Sequence, residues 1–293
     1  MTEILPDSLL DRYRVAGGSI AGTSHTKPLM PGTSNNQDAL WVTRSPGLLI
    51  GVVCDGCGSG KRSEFGAMLG VRLIANEILS QVTYDPEIFP NWDLLTDSVV
   101  NSLEDQVNLL IGLPNILVPL GQVGDRLRET AEIVESLLFT VMGFVVTEEK
   151  TWIFGLGDGV WALNGEITEI PPFPFNAPPY LAYRLTERDR DHYTLRPLAE
   201  IPTPEVESLL IGTDGVGDLM AEAGNTLPGE WETIGPLDQF WSEAALANPV
   251  WIQRRLNLIN RHRVTVDWDA RKIRHEVGRL PDDTTLISLR RKP

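Results

Sequence analysis

Leu49-Ile50-Gly51-Val52-Val53-Cys54 is an unbroken apolar run that stops at Asp55-Gly56. Val- and Ile-rich residues ended by a turn dipeptide read as a strand running into a tight turn. The same ending occurs twice more. Trp152-Ile153-Phe154-Gly155-Leu156-Gly157 runs into Asp158-Gly159, and Leu209-Leu210-Ile211-Gly212-Thr213 into Asp214-Gly215. The intervals, 103 and 56 residues, are unequal, so these are not structural repeats. Two further acidic positions belong with them: Asp38, which opens a strand after Asn35-Asn36-Gln37, and Asp282-Asp283, just before a closing strand at 284–290. Any one Asp-Gly is an ordinary turn. Five carboxylate sites at the edges of apolar strands, which packed sheets bring together, are a different matter.

Around these sites the pattern alternates between short strand-like runs and longer helical ones. Strands are expected at 13–24, 39–43, 48–54, 137–147, 151–156 and 208–213, with a hairpin of 160–163 and 166–170 about Asn164-Gly165. Apolar residues recurring every three or four positions predict helices over 63–82 and 93–111. Residues 112–124 read as a loop, 125–135, 237–247 and 250–261 as helices, and the five-proline stretch 171–179 as an ordered-surface or flap-like loop. Strands come in groups and helices in groups, which favours sheets with helices on their outer faces over a doubly wound parallel fold. No clean linker appears, so a single domain over 1–293 is expected.

The composition sets limits on function. Of 293 residues, 25 are Lys or Arg and 40 are Asp or Glu, a formal charge of −15. Eleven of the basic residues and five of the acidic ones lie from Trp251 onward, a local +6 that leaves −21 on the first 250. That tail reads mostly as solvated helix faces. The acidic balance argues against nucleic acid and anionic membranes as partners, and no window is long and apolar enough for a membrane span. The N-terminus lacks a basic lead and an apolar signal core, and the two cysteines, Cys54 and Cys57, make no disulfide framework, so a reducing cytoplasm is the expected compartment.

Four carboxylates converging at ~4 Å would repel by roughly 24 kcal/mol, more than a fold of ordinary stability tolerates without counter-charge. No basic residue is placed systematically beside the motifs. A pair of hard divalent cations is the economical solution, and all-oxygen ligation suits Mg²⁺ or Mn²⁺ over Zn²⁺. Glycine after each Asp permits the close backbone approach such a site requires. Two such metals activate a water as hydroxide and hold the oxygens of an in-line phosphoryl transfer, so phosphate-ester hydrolysis is the natural chemistry.

The order Asn36-Gln37-Asp38, Asp55-Gly56-Cys57-Gly58-Ser59-Gly60, Gly157-Asp158-Gly159, Thr213-Asp214-Gly215 and Asp282-Asp283-Thr284-Thr285 resembles the metal-dependent type 2C protein serine/threonine phosphatases, most closely their compact bacterial signalling forms. The likeness spans Gly18 to Leu289. It implies an α+β fold, a four-layer α-β-β-α sandwich of two antiparallel sheets flanked by helices, with metals in a cleft at one end. It implies that Asp55 bridges two metals, that the Gly56 carbonyl binds one of them, and that Asp214 and Asp282 complete one metal's shell. Asp38 would hold metal-bound water, and Asp158 would belong to a third, weaker site. The implied activity is hydrolysis of phosphoserine and phosphothreonine in a phosphorylated protein substrate, by a monomer.

The chain departs from that pattern at three residues, and the arginine that grips phosphate near the N-terminus of some eukaryotic relatives has no clear counterpart. Gln37 stands where relatives often carry Glu, Cys57 where many carry a His proposed to protonate the leaving group, and Gly159 where many show Ser-Arg. These departures motivate an alternative, a phosphatase-fold binding module with weak or no turnover. Retention of all five aspartate sites favours the enzyme, and the acidic charge disfavours a metal nuclease.

Several side candidates are weaker. Cys54 and Cys57 have C-x-x-C spacing, but the intervening Asp-Gly suits the metal motif better than a redox pair, and Cys54 is expected to point into the sheet core. His25, His192, His262 and His275 are too scattered to complete a zinc site with them. His25 reads as a strand-end histidine or as a proton donor facing the cleft. Lys61 and Arg62 read as helix-start residues, solvated or drawing a phosphoprotein toward the cleft. The glycine-rich 56–60 lacks the G-K-S/T ending of a nucleotide loop.

Overall fold

The computed structural model describes residues 9–26, 35–60, 62–84, 89–112, 133–186, 191–269 and 271–293. A one-turn helix α1 (Leu9–Arg12) leads into β1 (Tyr13–Ile20), β2 (Ala39–Ser45) and β3 (Leu48–Cys54). Two long helices follow, α2 (Ser63–Tyr84) and α3 (Trp92–Gly112), then β4 (Val141–Thr147), β5 (Lys150–Leu156), β6 (Gly159–Leu163) and β7 (Glu166–Ile170). The remainder comprises β8 (Arg196–Pro202), β9 (Ser208–Gly212), α4 (Gly215–Ala221), α5 (Glu243–Ala247), α6 (Trp251–Ile259), β10 (Arg263–Asp267), β11 (Lys272–Glu276) and β12 (Thr284–Arg291).

Two five-stranded sheets result, ordered β1-β12-β9-β6-β7 and β2-β3-β4-β5-β8, with β10-β11 as a separate hairpin. Every pairing is antiparallel. The alternation along β3 explains the layering. Leu49 and Val53 enter the core between the sheets with Phe144, Ile211 and Leu289. Ile50, Val52 and Cys54 point the other way, into a core closed by Ile74 and Ile78 of α2 and Leu95 and Leu103 of α3. The second sheet is covered on its outer face by Val216 and Leu219 of α4 and Ile252, Leu256 and Ile259 of α6. A strand buried on both faces has no polar positions, hence the unbroken apolar run. Each Leu, Ile or Val buried there contributes about 1.5–3 kcal/mol. The architecture is the expected four-layer α-β-β-α sandwich, and among the described residues no helix is long and apolar enough to cross a membrane.

The differences from the sequence reading have local causes. The strand expected at 13–24 stops at Ile20, because residues 22–25 turn away, with Thr23 N–H bonded to the Leu280 carbonyl at 2.8 Å. The strand expected from 137 begins at Val141. The helix expected over 237–247 is broken at Ser242, whose extended backbone (ψ 155°) ends a 3₁₀ turn and whose hydroxyl caps α5 by accepting from Ala245 N–H. β8 went unread because Arg196 to Pro202 begins and ends near prolines, tolerable because it is an edge strand. Helix α4 was hidden behind Asp214-Gly215. The basic tail is not helical throughout: after α6 it folds as the β10–β11 hairpin, as Val264-Thr265-Val266 would favour. Of the loop expected at 112–124, Gly112 closes α3 and the rest lies outside the described residues, as does most of the helix expected at 125–135; the described residues resume with a helical turn at 133–135.

Gly51 on β3 lies directly opposite Phe144 on β4, and a Cβ there would stand 2.4 Å from the ring. Gly51→Val should therefore destabilise the protein by about 1–3 kcal/mol, read as a lowered thermal midpoint. Phe144→Leu in the same background should restore part of the loss.

Candidate metal centre

Both sheets deliver their acidic strand ends to the same place. Ala39 pairs with Cys54 in the β2–β3 ladder, so Asp38 and Asp55 are adjacent at one end of one sheet. Leu286 pairs with Gly212 in the β9–β12 ladder, which puts Asp214 beside Asp282-Asp283 at the end of the other. A hydrogen bond joins the two sheets here: Thr213 Oγ1 donates to Asp38 Oδ2 at 2.7 Å. Thr285 N–H in turn donates to Thr213 Oγ1 at 3.1 Å. The β5–β6 turn adds Asp158, buried and flanked by Gly157 and Gly159 with positive φ.

A cleft of about 360 Å³ opens over this point. Asp55, Gly56, Asp158, Asp214 and Asp282 line it, together with Gln37, Cys57 and His25. Asp38 lies beneath, its carboxyl against that of Asp55. All six positions proposed from sequence thus gather at one site. Among the described residues that line the cleft there is no Lys or Arg. Gly215 shows why a glycine must follow the aspartate: a Cβ would stand 2.0 Å from the Asp283 carbonyl oxygen.

The electrostatics follow from burial without counter-charge. Desolvation, then the neighbouring Asp38 and Asp214 charges, hold the Asp55 carboxyl well above the usual carboxylate range. Asp38 is pushed up to about 8 by burial foremost, with Asp283 adding to it and the Thr213 hydrogen bond opposing it. Asp214 rises to about 7 through burial and the charges of Asp282 and Asp158. Burial raises Asp158 as well. Asp38, pushed up to about 8, holds its proton at neutral pH unless a cation replaces it. Asp38 Oδ1 is buried with no hydrogen-bond partner, an acceptor aimed into a carboxylate cluster. An all-oxygen donor set with a spare buried acceptor fits a hard divalent cation.

Two acidic residues at the site, Asp283 and Asp218, were given no role from sequence. Asp283 is buried, and its carboxylate accepts from Gly22 N–H at 2.7 Å and Gln37 N–H at 2.6 Å, tying both loops to the start of β12. The half-exposed Asp282 is the one of the pair that faces the cleft. The doubled Asp-Asp gave no sign of which residue clamps and which faces outward. Asp218, in the first turn of α4, is raised by burial and by Asp282 nearby; only the unread helix could have signalled it.

The side candidates separate clearly. His25 does face the cleft, with Nδ1 3.0 Å from Asp283 Oδ1 and 4.0 Å from Asp282 Oδ1. His25, Asp282 and Asp283 also offer ligand atoms within 4.8 Å of one another. Cys54 is buried in the sheet core as expected, and burial raises its thiol. Cys57 is half-buried; burial pushes its thiol up, but hydrogen bonds with Ser59 and Tyr180 outweigh it and bring the value down. The proline-rich loop forms one wall of the cleft through Phe175, Asn176, Pro178 and Tyr180. Gln37 donates from its side-chain amide to Ser63 Oγ at 2.8 Å. Arg62 is exposed ahead of α2, and Lys61 lies outside the described residues.

No curated protein matches the chain. Among solved structures, the chain is similar to the catalytic domain of the serine threonine protein phosphatase PstP in complex with two manganese ions, at 13% identity over 96% of this chain and 99% of that one, TM-score 0.45. It is similar to a bacterial serine phosphatase bearing an arginine-to-alanine mutation, at 15% identity over 94% and 97%, TM-score 0.49. The photosystem II phosphatase PBCP gives 14% identity over 96% and 99%, TM-score 0.47. A family model described as protein phosphatase 2C matches residues 21–245, which include four of the five acidic sites. Matched over most of its length, the chain belongs to the protein phosphatase 2C family.

Proposed function

We propose that this protein is a metal-dependent phosphoprotein phosphatase, acting on phosphoserine and phosphothreonine through residues 1–293 as one catalytic domain. The observation that carries the reading is the convergence of Asp38, Asp55, Asp214 and Asp282 from four strand ends into one cleft, with no Lys or Arg among its described lining residues. Asp55 and the Gly56 carbonyl would hold a pair of divalent cations, Mg²⁺ or Mn²⁺, Asp214 and Asp282 would add to one of them, and Asp158 would serve a third, weaker position. Bound there, the cations supply an activated water and neutralise phosphate oxygens. The protein's own part is orientation. Asp38, fixed by Thr213, would accept a hydrogen bond from the attacking water and so orient it, and Asp283 keeps the loops of Gly22 and Gln37 in register. His25 is the imidazole that the cleft offers to the departing alkoxide, in place of the His that Cys57 replaces. The free thiols of Cys54 and Cys57 suit a reducing compartment such as the cytoplasm.

Purified protein should hydrolyse p-nitrophenyl phosphate with Mn²⁺ or Mg²⁺ and lose that turnover in EDTA. Asp55→Asn should lower kcat/KM by more than about a hundredfold, beyond the effect of losing an outer-shell partner. Full activity in Asp55→Asn would sink the proposal. Metal binding by calorimetry without turnover would instead favour a binding module.

The raised carboxyl pKa values carry a sign. Between the ordinary carboxylate range and about 8, the folded metal-free protein binds more protons at Asp38, Asp55 and Asp214 than the unfolded chain does. Their contribution therefore becomes increasingly unfavourable as pH rises through that window. In EDTA, the thermal midpoint of Asp38→Asn relative to wild type should climb between pH 5 and pH 8. Saturating Mn²⁺ should reverse that ordering at pH 8, because the cation takes the protons' place. A difference that stays flat with pH in EDTA would contradict the assignment.

A further inference from the structure

Asn36 opens the Asn36-Gln37-Asp38 motif but does not line the cleft. Its side-chain amide bonds in two directions at once. Oδ1 accepts from the backbone N–H of Asp38 at 3.1 Å, and Nδ2 donates to Ser19 Oγ at 2.7 Å. Ser19 Oγ stands 2.6 Å from the hydroxyl of Thr285, the residue directly opposite it in the β1–β12 ladder. Thr285 is buried, and its hydroxyl donates in turn toward the Asp38 carboxyl. Residues from β1, β12 and the segment before β2 thus close a ring of hydrogen bonds that begins and ends on Asp38.

The protons fix the direction of that ring. A hydroxyl has one proton to give, and an ionised carboxylate only accepts. Thr285 therefore gives its proton to Asp38 and accepts from Ser19. Ser19, its own proton directed at Thr285, takes the Asn36 amide on a lone pair. The Asn36 carbonyl oxygen is left for the Asp38 N–H. Every bond runs the same way round, the arrangement in which each one polarises and strengthens the next. The ring is braced from α6 as well: Gln253 accepts from Ser19 N–H at 3.0 Å and donates to the Ser19 carbonyl at 2.7 Å. A turn at the start of β2 needs only the Asn36–Asp38 bond. Continuing it through Ser19 and Thr285 back to the carboxyl serves the orientation of that carboxyl.

We propose that Ser19 is a positioning residue for Asp38, acting through Thr285 and Asn36 to hold its carboxyl at the angle that orients the attacking water. Ser19 does not line the cleft, so it acts only through Asp38. Without the Ser19 hydroxyl, nothing directs the Thr285 proton to the carboxyl, and the Asn36 amide loses the partner that sets its orientation. Thr213 alone then fixes Asp38, through Oδ2. The catalytic use of that angle rests on the phosphatase reading; the effect of the ring on the metal site is independent of turnover.

The test measures Mn²⁺ affinity by calorimetry and p-nitrophenyl phosphate kinetics at saturating Mn²⁺, in Ser19→Ala, Ser19→Thr, Thr285→Val and the Ser19→Ala/Thr285→Val double variant. Thr285→Val, which removes a donor to Asp38, should weaken Mn²⁺ binding and lower kcat by about tenfold. Ser19→Ala, one bond further out, should lower both by about three- to tenfold with KM unchanged. Ser19→Thr keeps the hydroxyl and should recover most of both losses. Adding Ser19→Ala to Thr285→Val should change nothing further, because the ring is already open. Thermal midpoints in EDTA report that each variant is folded. A Ser19→Ala protein with a lowered midpoint but wild-type Mn²⁺ affinity and kcat has lost only packing, and the proposal falls. It falls equally if Ser19→Thr loses as much as Ser19→Ala, or if the two single effects multiply in the double variant. If the wild type binds Mn²⁺ but hydrolyses no p-nitrophenyl phosphate, the phosphatase reading fails and the Mn²⁺ affinities of the same variants decide the ring alone. A wild type that binds no Mn²⁺ would sink both.

Discussion

Carboxylates buried together, with no Lys or Arg among the described residues lining their cleft, are the constraint around which this molecule is arranged. Asp38, Asp55, Asp158 and Asp214 are all held above their ordinary pKa, burial being the largest cause in each case. Such a cluster opposes folding, and it persists only because the surrounding structure over-determines it. Two hydrophobic sheets, each stapled to its own helical layer, hold the strand ends in place whether or not the carboxylates agree. The Thr213–Asp38 hydrogen bond and the Asp283 clamp then choose the orientation of each acid. Stability made in the core is spent at the cleft.

The division of labour between neighbouring residues is sharp. Cys54 belongs to the core and Asp55 to the cleft, although they are adjacent, because the strand ends between them. Asp283 is sealed inside and bonded to two backbone N–H groups, while Asp282 keeps a half-exposed carboxylate turned to the cleft. Both pairs sit where a strand begins or ends, and the chain there turns consecutive side chains to opposite environments. Strand alternation, carried onto a hairpin with no sheet to cover it, leaves Val266 and Ile273 in water.

Much of this was legible from the residues. The strand reading of 48–54 and the hairpin arm 166–170 agree with β3 and β7 in full, and the helices at 63 and 93 start within one residue of α2 and α3. Those segments are long or strongly patterned, so local propensity and tertiary packing agree. Disagreement came where local signals are weak or contradictory: proline at both ends of β8, glycine at the start of α4, a serine cap splitting 237–247. The basic tail misled because charge says that a segment is solvated but not whether it is helix or strand.

The six acidic and glycine positions could be picked out along the chain because each sits just before or just after an apolar strand, a local pattern written in consecutive residues. That Asp38 lies under Asp55, that Asp218 joins Asp282, and that His25 meets Asp283 could not be, since these contacts join residues distant in sequence and depend on how two sheets are stacked and registered. The sequence by itself determined which acidic side chains stand where apolar strands begin or end, and which strands those are. Only the tertiary structure decided which of them meet, which are buried, and which way each one faces, because burial and distance are properties of packed surfaces and not of neighbours along a chain.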